Sequence, residues 1–227
     1  QATRCDEAIE LLEDYAFRRP DDQQAQLMMA SCYRSLGRLP EATGLYQQLL
    51  DVRPEDAALH ATVGDLMAEQ RRWTDAIALY RTALERAPQL GPTYLTLAAA
   101  LSATERYREA ANVMRGYTQR YPDDADGWYN LGSALDRVGR HDSAVKALRQ
   151  AVKIRPNFAD AYVNLGIALD HAGFSEEAIN ALRRAALMKP GLAPYVYNSI
   201  AISYRLQGRA EDALEAHRQA ISLSDTT

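Results

Sequence analysis

Apolar and small residues fall at helical spacing along the chain. In residues 125–158, Trp128, Leu131, Gly132 and Leu135 recur at steps of three and four, on one face of a helix. Gly139 follows, the residue best suited to end a helix in a left-handed turn. A second series, Ala144, Leu148 and Ala151, predicts a second helix. Pro156 stops it, because proline cannot extend a helix and disfavours helical geometry at Arg155. Asp124 and Asp126 are the caps expected for the first helix. Gly132 and Ala144 are small for a shared reason: two closely crossing helices leave no room for more.

This helix pair recurs every 34 residues. Trp128-Tyr129-Asn130-Leu131-Gly132 returns as Tyr162-Val163-Asn164-Leu165-Gly166, and Gly139, Ala144, Leu148 and Pro156 return as Gly173, Ala178, Leu182 and Pro190. Stepping backward gives Pro122, Pro88, Pro54 and Pro20, with Ala110, Ala76, Ala42 and Ala8. On this ruler residues 1–22 are the second helix of a partial repeat. Residues 23–56, 57–90, 91–124, 125–158 and 159–192 are full repeats, and 194–227 is a terminal one. Ala193 is a single insertion in a turn-forming stretch, where an extra residue costs little.

An aromatic, Leu-Gly, a large residue, a small Ala, Ala and Pro at these slots resemble the tetratricopeptide repeat family over the entire chain. The resemblance implies an all-α fold: a single right-handed solenoid, or superhelix, of antiparallel helix pairs over residues 1–227. Some slots depart from the pattern. Gln26 and His60 replace the aromatic, and Ala30, Ala98 and Ala201 replace the glycine, with sizes that still pack. The pentatricopeptide family has a similar period, but it reads RNA and wants a basic surface.

The ends carry two expectations. The chain opens at Gln1 inside a repeat, as a piece of a longer protein would, so Ile9, Leu12 and Tyr15 should lack their usual cover. At the other end, His217 takes the slot of Tyr46, Tyr80, Met114, Leu148 and Leu182, and Asp225 takes the proline slot, which would close the array near Thr227.

Composition narrows the partners. Of 227 residues, 26 are Lys or Arg and 30 Asp or Glu, giving net charge −4, so charge-driven binding to nucleic acid or anionic lipid is disfavoured. No apolar run reaches the ~20 residues of a membrane span, and the given residues carry no signal-peptide pattern. Of the basic residues only Lys146, Lys153 and Lys189 are lysine, an Arg bias typical of GC-rich bacterial genomes. Cytoplasm is the default compartment, with the periplasm open.

Candidate chemistry is sparse. There is no phosphate-binding glycine loop and no nucleophile elbow. Glu176-Glu177 and Glu211-Asp212 open second helices, where acidic residues complement the helix dipole. His60, His141, His171 and His217 lie in four repeats without close ligand spacing, and are read as packing or polar residues; no metal or cofactor is expected. Cys5 and Cys32 belong on neighbouring helices, as free thiols with a disulfide geometrically open. The chain therefore reads as non-catalytic.

The informative surface is the inner one, lined by first helices, where a residue repeated every 34 positions forms a ladder. One slot reads Met28, Thr62, Thr96, Asn130, Asn164 and Ser199, with Asn198 one residue off register. A primary amide both donates and accepts, which suits a peptide backbone of any sequence. The two asparagine segments look like the repeats of the O-linked N-acetylglucosamine transferase arm; the alternative is a solvated consensus residue. Tyr129 and Tyr195 also face inward. Asp65, Asp126, Asp136, Asp160 and Asp170 line further slots, with Arg137 and His171 beside them, while early repeats offer Leu27, Met28, Ala61, Leu95 and Ala99. An apolar end and an acidic end are thus expected. Arg34, Arg137 and Arg205 are candidates for a carboxylate, but the lysines that clamp chaperone tails are missing from the inner slots.

The reading is a protein–protein interaction scaffold holding an extended peptide or a partner helix in its groove. Asn130, Asn164, Asn198, Tyr129, Asp136, Asp170, Arg137, Tyr195 and Arg205 are its contact residues. Two alternatives stay open: the substrate-recognition arm of a larger glycosyltransferase or sulfotransferase, and self-association.

Overall fold

The computed structural model describes residues 2–224, with side chains from residue 5 onward. Gln1, Asp225 and Thr227 lie outside the described residues, and with them the expectations placed there. The described elements are α1 (Ala2–Arg18), α2 (Gln23–Ser35), α3 (Leu39–Val52), α4 (Ala57–Glu69), α5 (Trp73–Arg86), α6 (Gly91–Ala103), α7 (Tyr107–Arg120), α8 (Ala125–Arg137), α9 (His141–Ile154), α10 (Ala159–His171), α11 (Ser175–Met188), α12 (Ala193–Leu206) and α13 (Ala210–Ser224). A short 3-10 turn, Pro190–Leu192, takes up the residue inserted before α12. No strand occurs among the described residues, as the all-α expectation requires. The fold is an all-α solenoid.

Two compact units share the chain, Gln1–Glu105 and Arg106–Thr227, and each is described by itself. Within each, a helix packs on the next in sequence. In the second unit α8, α10 and α12 also approach one another, whereas α9 and α11 do not. Alternate helices therefore form an inner layer, and in the first unit α4 and α6 do the same.

The helix pairs close where the sequence is small. A Cβ placed on Gly132 would lie 2.5 Å from Leu148 Cγ, and one on Gly166 would lie 2.6 Å from Leu182 Cγ. Ala42, Ala76, Ala110, Ala144 and Ala178 are fully buried in the same seams. Asp22, Asp56 and Asp124 cap their first helices, accepting backbone N–H bonds from Gln24 and Ala25, Leu59, and Asp126.

The turn inside a pair is a Schellman motif. The Gly139 N–H donates to the Asp136 carbonyl at 2.9 Å and the Arg140 N–H to the Leu135 carbonyl at 2.9 Å, with Gly139 at φ +77°. The first unit places Arg71 and Glu105 in this left-handed conformation, at φ 59° and 58°, a strain that a side chain pays and glycine does not.

The departures at the aromatic slot have a physical reason. Gln26 Nε2 donates to the Pro20 carbonyl (2.7 Å), Tyr94 Oη to Pro88 (3.2 Å) and Trp128 Nε1 to Pro122 (2.8 Å). His60 Nε2 meets the Pro54 carbonyl at 2.8 Å, which assigns its proton to Nε2. The slot selects a donor that reaches the carbonyl six residues earlier, and an aromatic ring is one way to carry it.

The first helix corrects an expectation. Ile9 is buried where α1 packs on α2, and Leu12 is half-buried; the large apolar or aromatic residues that α1 exposes are Leu11, Phe17 and, as expected, Tyr15, whose hydroxyl donates to Asp22. Cys5 and Cys32 are free, half-buried neighbours, and the hydrogen bond between them, with burial, pushes the Cys32 thiol up to about 11.

Candidate functional site

The inner layer of the second unit holds a groove of about 590 Å³. Ser133, Asp136 and Arg137 enter it from α8, Asn164, Ile167 and His171 from α10, Tyr107 from α7 and Tyr195 from α12, with Leu148 below. The 34-residue repeat puts these side chains at successive rungs, and the Gly139 turn brings the start of α9 against the end of α8.

Four expected site residues line this groove: Asn164, Asp136, Arg137 and Tyr195. Asn164 Nδ2 donates to Ser133 Oγ at 2.8 Å, leaving its carbonyl oxygen available. Arg137 Nη2 donates to the Tyr107 hydroxyl at 2.7 Å, with the guanidinium 4.7 Å from the ring centroid. Tyr195 is exposed.

The other five are placed otherwise. Asn130 is half-buried on α8. Tyr129 packs its ring on Phe158, centroids 5.0 Å apart; burial pushes its phenol up, while hydrogen bonding to Asn164 and Ser133 keeps the hydroxyl beside two residues of the groove. Asn198 is exposed and its amide oxygen pairs with His217 Nδ1 at 3.0 Å. Asp170 accepts a hydrogen bond from Ser203 and lines a separate cleft with Phe174, Leu206 and Gln207. Arg205 is exposed, with no ion pair among the described residues.

The expected acidic lining is largely compensated from within. Asp126 takes a bidentate bond from Arg155, at 3.0 and 2.6 Å, and Asp160 lies 3.5 Å from Lys189. In the first unit, Asp65 accepts from the Tyr80 hydroxyl at 2.8 Å; burial and this carboxylate push the phenol up. Arg34, expected as a free carboxylate receptor, is held by Glu69 at 2.5 Å. A carboxylate one rung away reaches these cations at less entropic cost than an incoming ligand.

The histidines also depart from expectation. His141 Nδ1 lies 2.7 Å from Asp136 Oδ1, and His171 Nδ1 lies 3.0 and 3.1 Å from the two Asp136 oxygens. Their rings are 4.9 Å apart. His141 and His171 thus share a carboxylate partner that a residue-by-residue reading missed. The signal was present: five residues across a glycine turn, and one repeat plus one residue.

Comparisons place this geometry among known proteins. A search of curated proteins gives no match. Among solved structures, a MamA crystal structure is 26% identical, covering 72% of this chain and 95% of that one with a TM-score of 0.67. Another MamA structure is 25% identical, covers 76% and 93%, and has a TM-score of 0.70. YrrB, described as a TPR protein with an unusual peptide-binding site, shares the fold at 22% identity, 78% and 91% coverage and a TM-score of 0.66. Tetratricopeptide repeat sequence models match residues 1–66 and 137–201, 95–159, and 195–224. The described helices that carry those matches, and the inner-layer groove they build, belong to a member of the tetratricopeptide repeat family.

Proposed function

We propose that the chain is a non-catalytic interaction scaffold and that the second unit's groove holds an extended peptide. The observation that carries this reading is the groove's lining: an amide oxygen at Asn164, a cation at Arg137, an exposed phenol at Tyr195 and a hydroxyl at Ser133, all on one inner face. These groups hydrogen-bond a peptide backbone and accept varied side chains. Asn130, one rung from Asn164, adds an amide with both donor and acceptor. Backbone reading by stepped asparagines is the feature through which the sequence resembles the glycosyltransferase arm. YrrB's description supports peptide binding as a use of this fold. Basic ligand side chains would meet Asp136, whose carboxylate lines the groove. The 34-residue register of full repeats, 23–56 through 159–192, is part of the same proposal.

The test is a peptide selected against the full chain, measured on Asn130→Ala with Asn164→Ala. Each lost amide contact removes about 0.5–1.5 kcal/mol, so the double variant should bind roughly tenfold weaker. Unchanged affinity would discard the amide ladder.

A further inference from the structure

We propose that Asp136, His141 and His171 form a binding site for one divalent first-row transition-metal ion in the wall of the second unit's groove. The proposal goes beyond peptide binding and does not rest on it.

Three donors of suitable type converge here. One ligand atom from each residue lies within 4.8 Å of the others. A metal held at about 2.0–2.1 Å by imidazole nitrogen and carboxylate oxygen sets tetrahedral donors about 3.4 Å apart. The Asp136 oxygen stands 2.7 Å from His141 Nδ1 and 3.0 Å from His171 Nδ1, and the three ligand atoms lie within 4.8 Å of one another, so side-chain rotations of at most about 1.5 Å bring the donors to the tetrahedral spacing. Two imidazoles and one carboxylate suit zinc, nickel or copper, and three protein ligands leave a position open.

The backbone fixes the donors. Asp136 sits in the last turn of α8, its carbonyl held by the Gly139 N–H, and His141 begins α9 directly after that turn. His171 ends α10 on the adjacent rung. The Asp136 side chain is 14% exposed while His171 is 48% exposed, which gives the site a fixed floor and a mouth on the groove. Arg137, the nearest cation in sequence, donates to Tyr107, and both histidines face the carboxylate.

Both histidines present Nδ1 to one carboxylate. In the metal-free state each must carry its proton on that nitrogen to donate. With the ion bound, the proton sits on Nε2 and both Nδ1 lone pairs point at the metal. No proton is lost by a neutral imidazole in this exchange. The other histidines are engaged elsewhere, His60 at Pro54 and His217 at Asn198.

The experiment is calorimetric titration of the full chain with Zn²⁺ alone, at neutral pH. The expected result is one ion per chain, with His171→Ala weakening binding at least about 100-fold and Asp136→Asn at least about tenfold. Circular dichroism of both variants should match the parent. The Cys5→Ser, Cys32→Ser double variant should bind as the parent does, and the Co²⁺ form should lack thiolate charge-transfer absorption. No saturable binding, binding unchanged by His171→Ala, or binding lost only in the cysteine variant would overturn the assignment.

Discussion

Each unit builds an inner layer of first helices, and the two layers carry different residues. In the first unit the inner slots hold Met28, Ala61, Thr62, Leu95, Thr96 and Ala99, and the charges among them are spent: Arg34 on Glu69, Asp65 on Tyr80. In the second unit the corresponding helices present Ser133, Arg137, Asn164 and His171, and these line a groove. The seams between paired helices, by contrast, follow one rule in both. Gly64 faces Tyr80 as Gly132 faces Leu148, and a Cβ on Gly64 would lie 2.7 Å from the Tyr80 ring. Packing fixes the seam slots, while the inner slots are released from packing and can carry recognition.

The strongest way to break that division is to attack the seam. Leu148→Ala should cost about 2–5 kcal/mol by urea denaturation, since Leu148 is fully buried. Gly132→Val should cost about 1–3 kcal/mol through overpacking against the same side chain. In the Leu148→Ala background the Gly132→Val penalty should largely vanish, and a full penalty there would mean that the two residues do not share one space.

An intermediate effect separates the inner faces. Arg137→Ala should lower affinity for a selected peptide by about tenfold, the worth of one charge-assisted hydrogen bond. Arg34→Ala should leave it unchanged and cost at most about 1 kcal/mol of stability, because its ion pair is partly exposed. Equal losses from both would erase the distinction between the units.

The smallest effect lies in the turns. Arg71→Gly and Glu105→Gly should each stabilise by about 1 kcal/mol by removing left-handed strain, whereas Gly139→Ala should destabilise by a similar amount. Thermal denaturation of the three single variants checks the signs.

Helix pairs, seams and turns were legible in the sequence because each depends on residues close together or exactly one period apart. The expected close crossing of Gly132 and Ala144 follows from two helical faces and a turn; the side chain that meets Gly132 is Leu148, one turn along the same face as Ala144. The inner surface was less legible, because its contacts do not run along the period. Asn164 meets Ser133, 31 residues earlier, and His171 meets Asp136, 35 residues earlier. A ladder drawn at 34 therefore pairs Asn164 with Asn130 and overlooks the actual neighbours. The Tyr129 slot does not reveal that its ring packs on Phe158 while its hydroxyl meets Asn164 and Ser133. The acidic slots looked available for the same reason: Arg155 and Lys189 come from the ends of second helices, at spacings a same-slot comparison does not inspect.

The central claim is that recognition belongs to the inner layer of the second unit. Backbone and side-chain NMR of the full chain, titrated with a selected peptide, tests it most directly. The account predicts shift changes concentrated at Ser133, Arg137, Asn164, His171 and Tyr195 on α8, α10 and α12. Changes confined to α4 and α6, or to the outer helices α9 and α11, would contradict it.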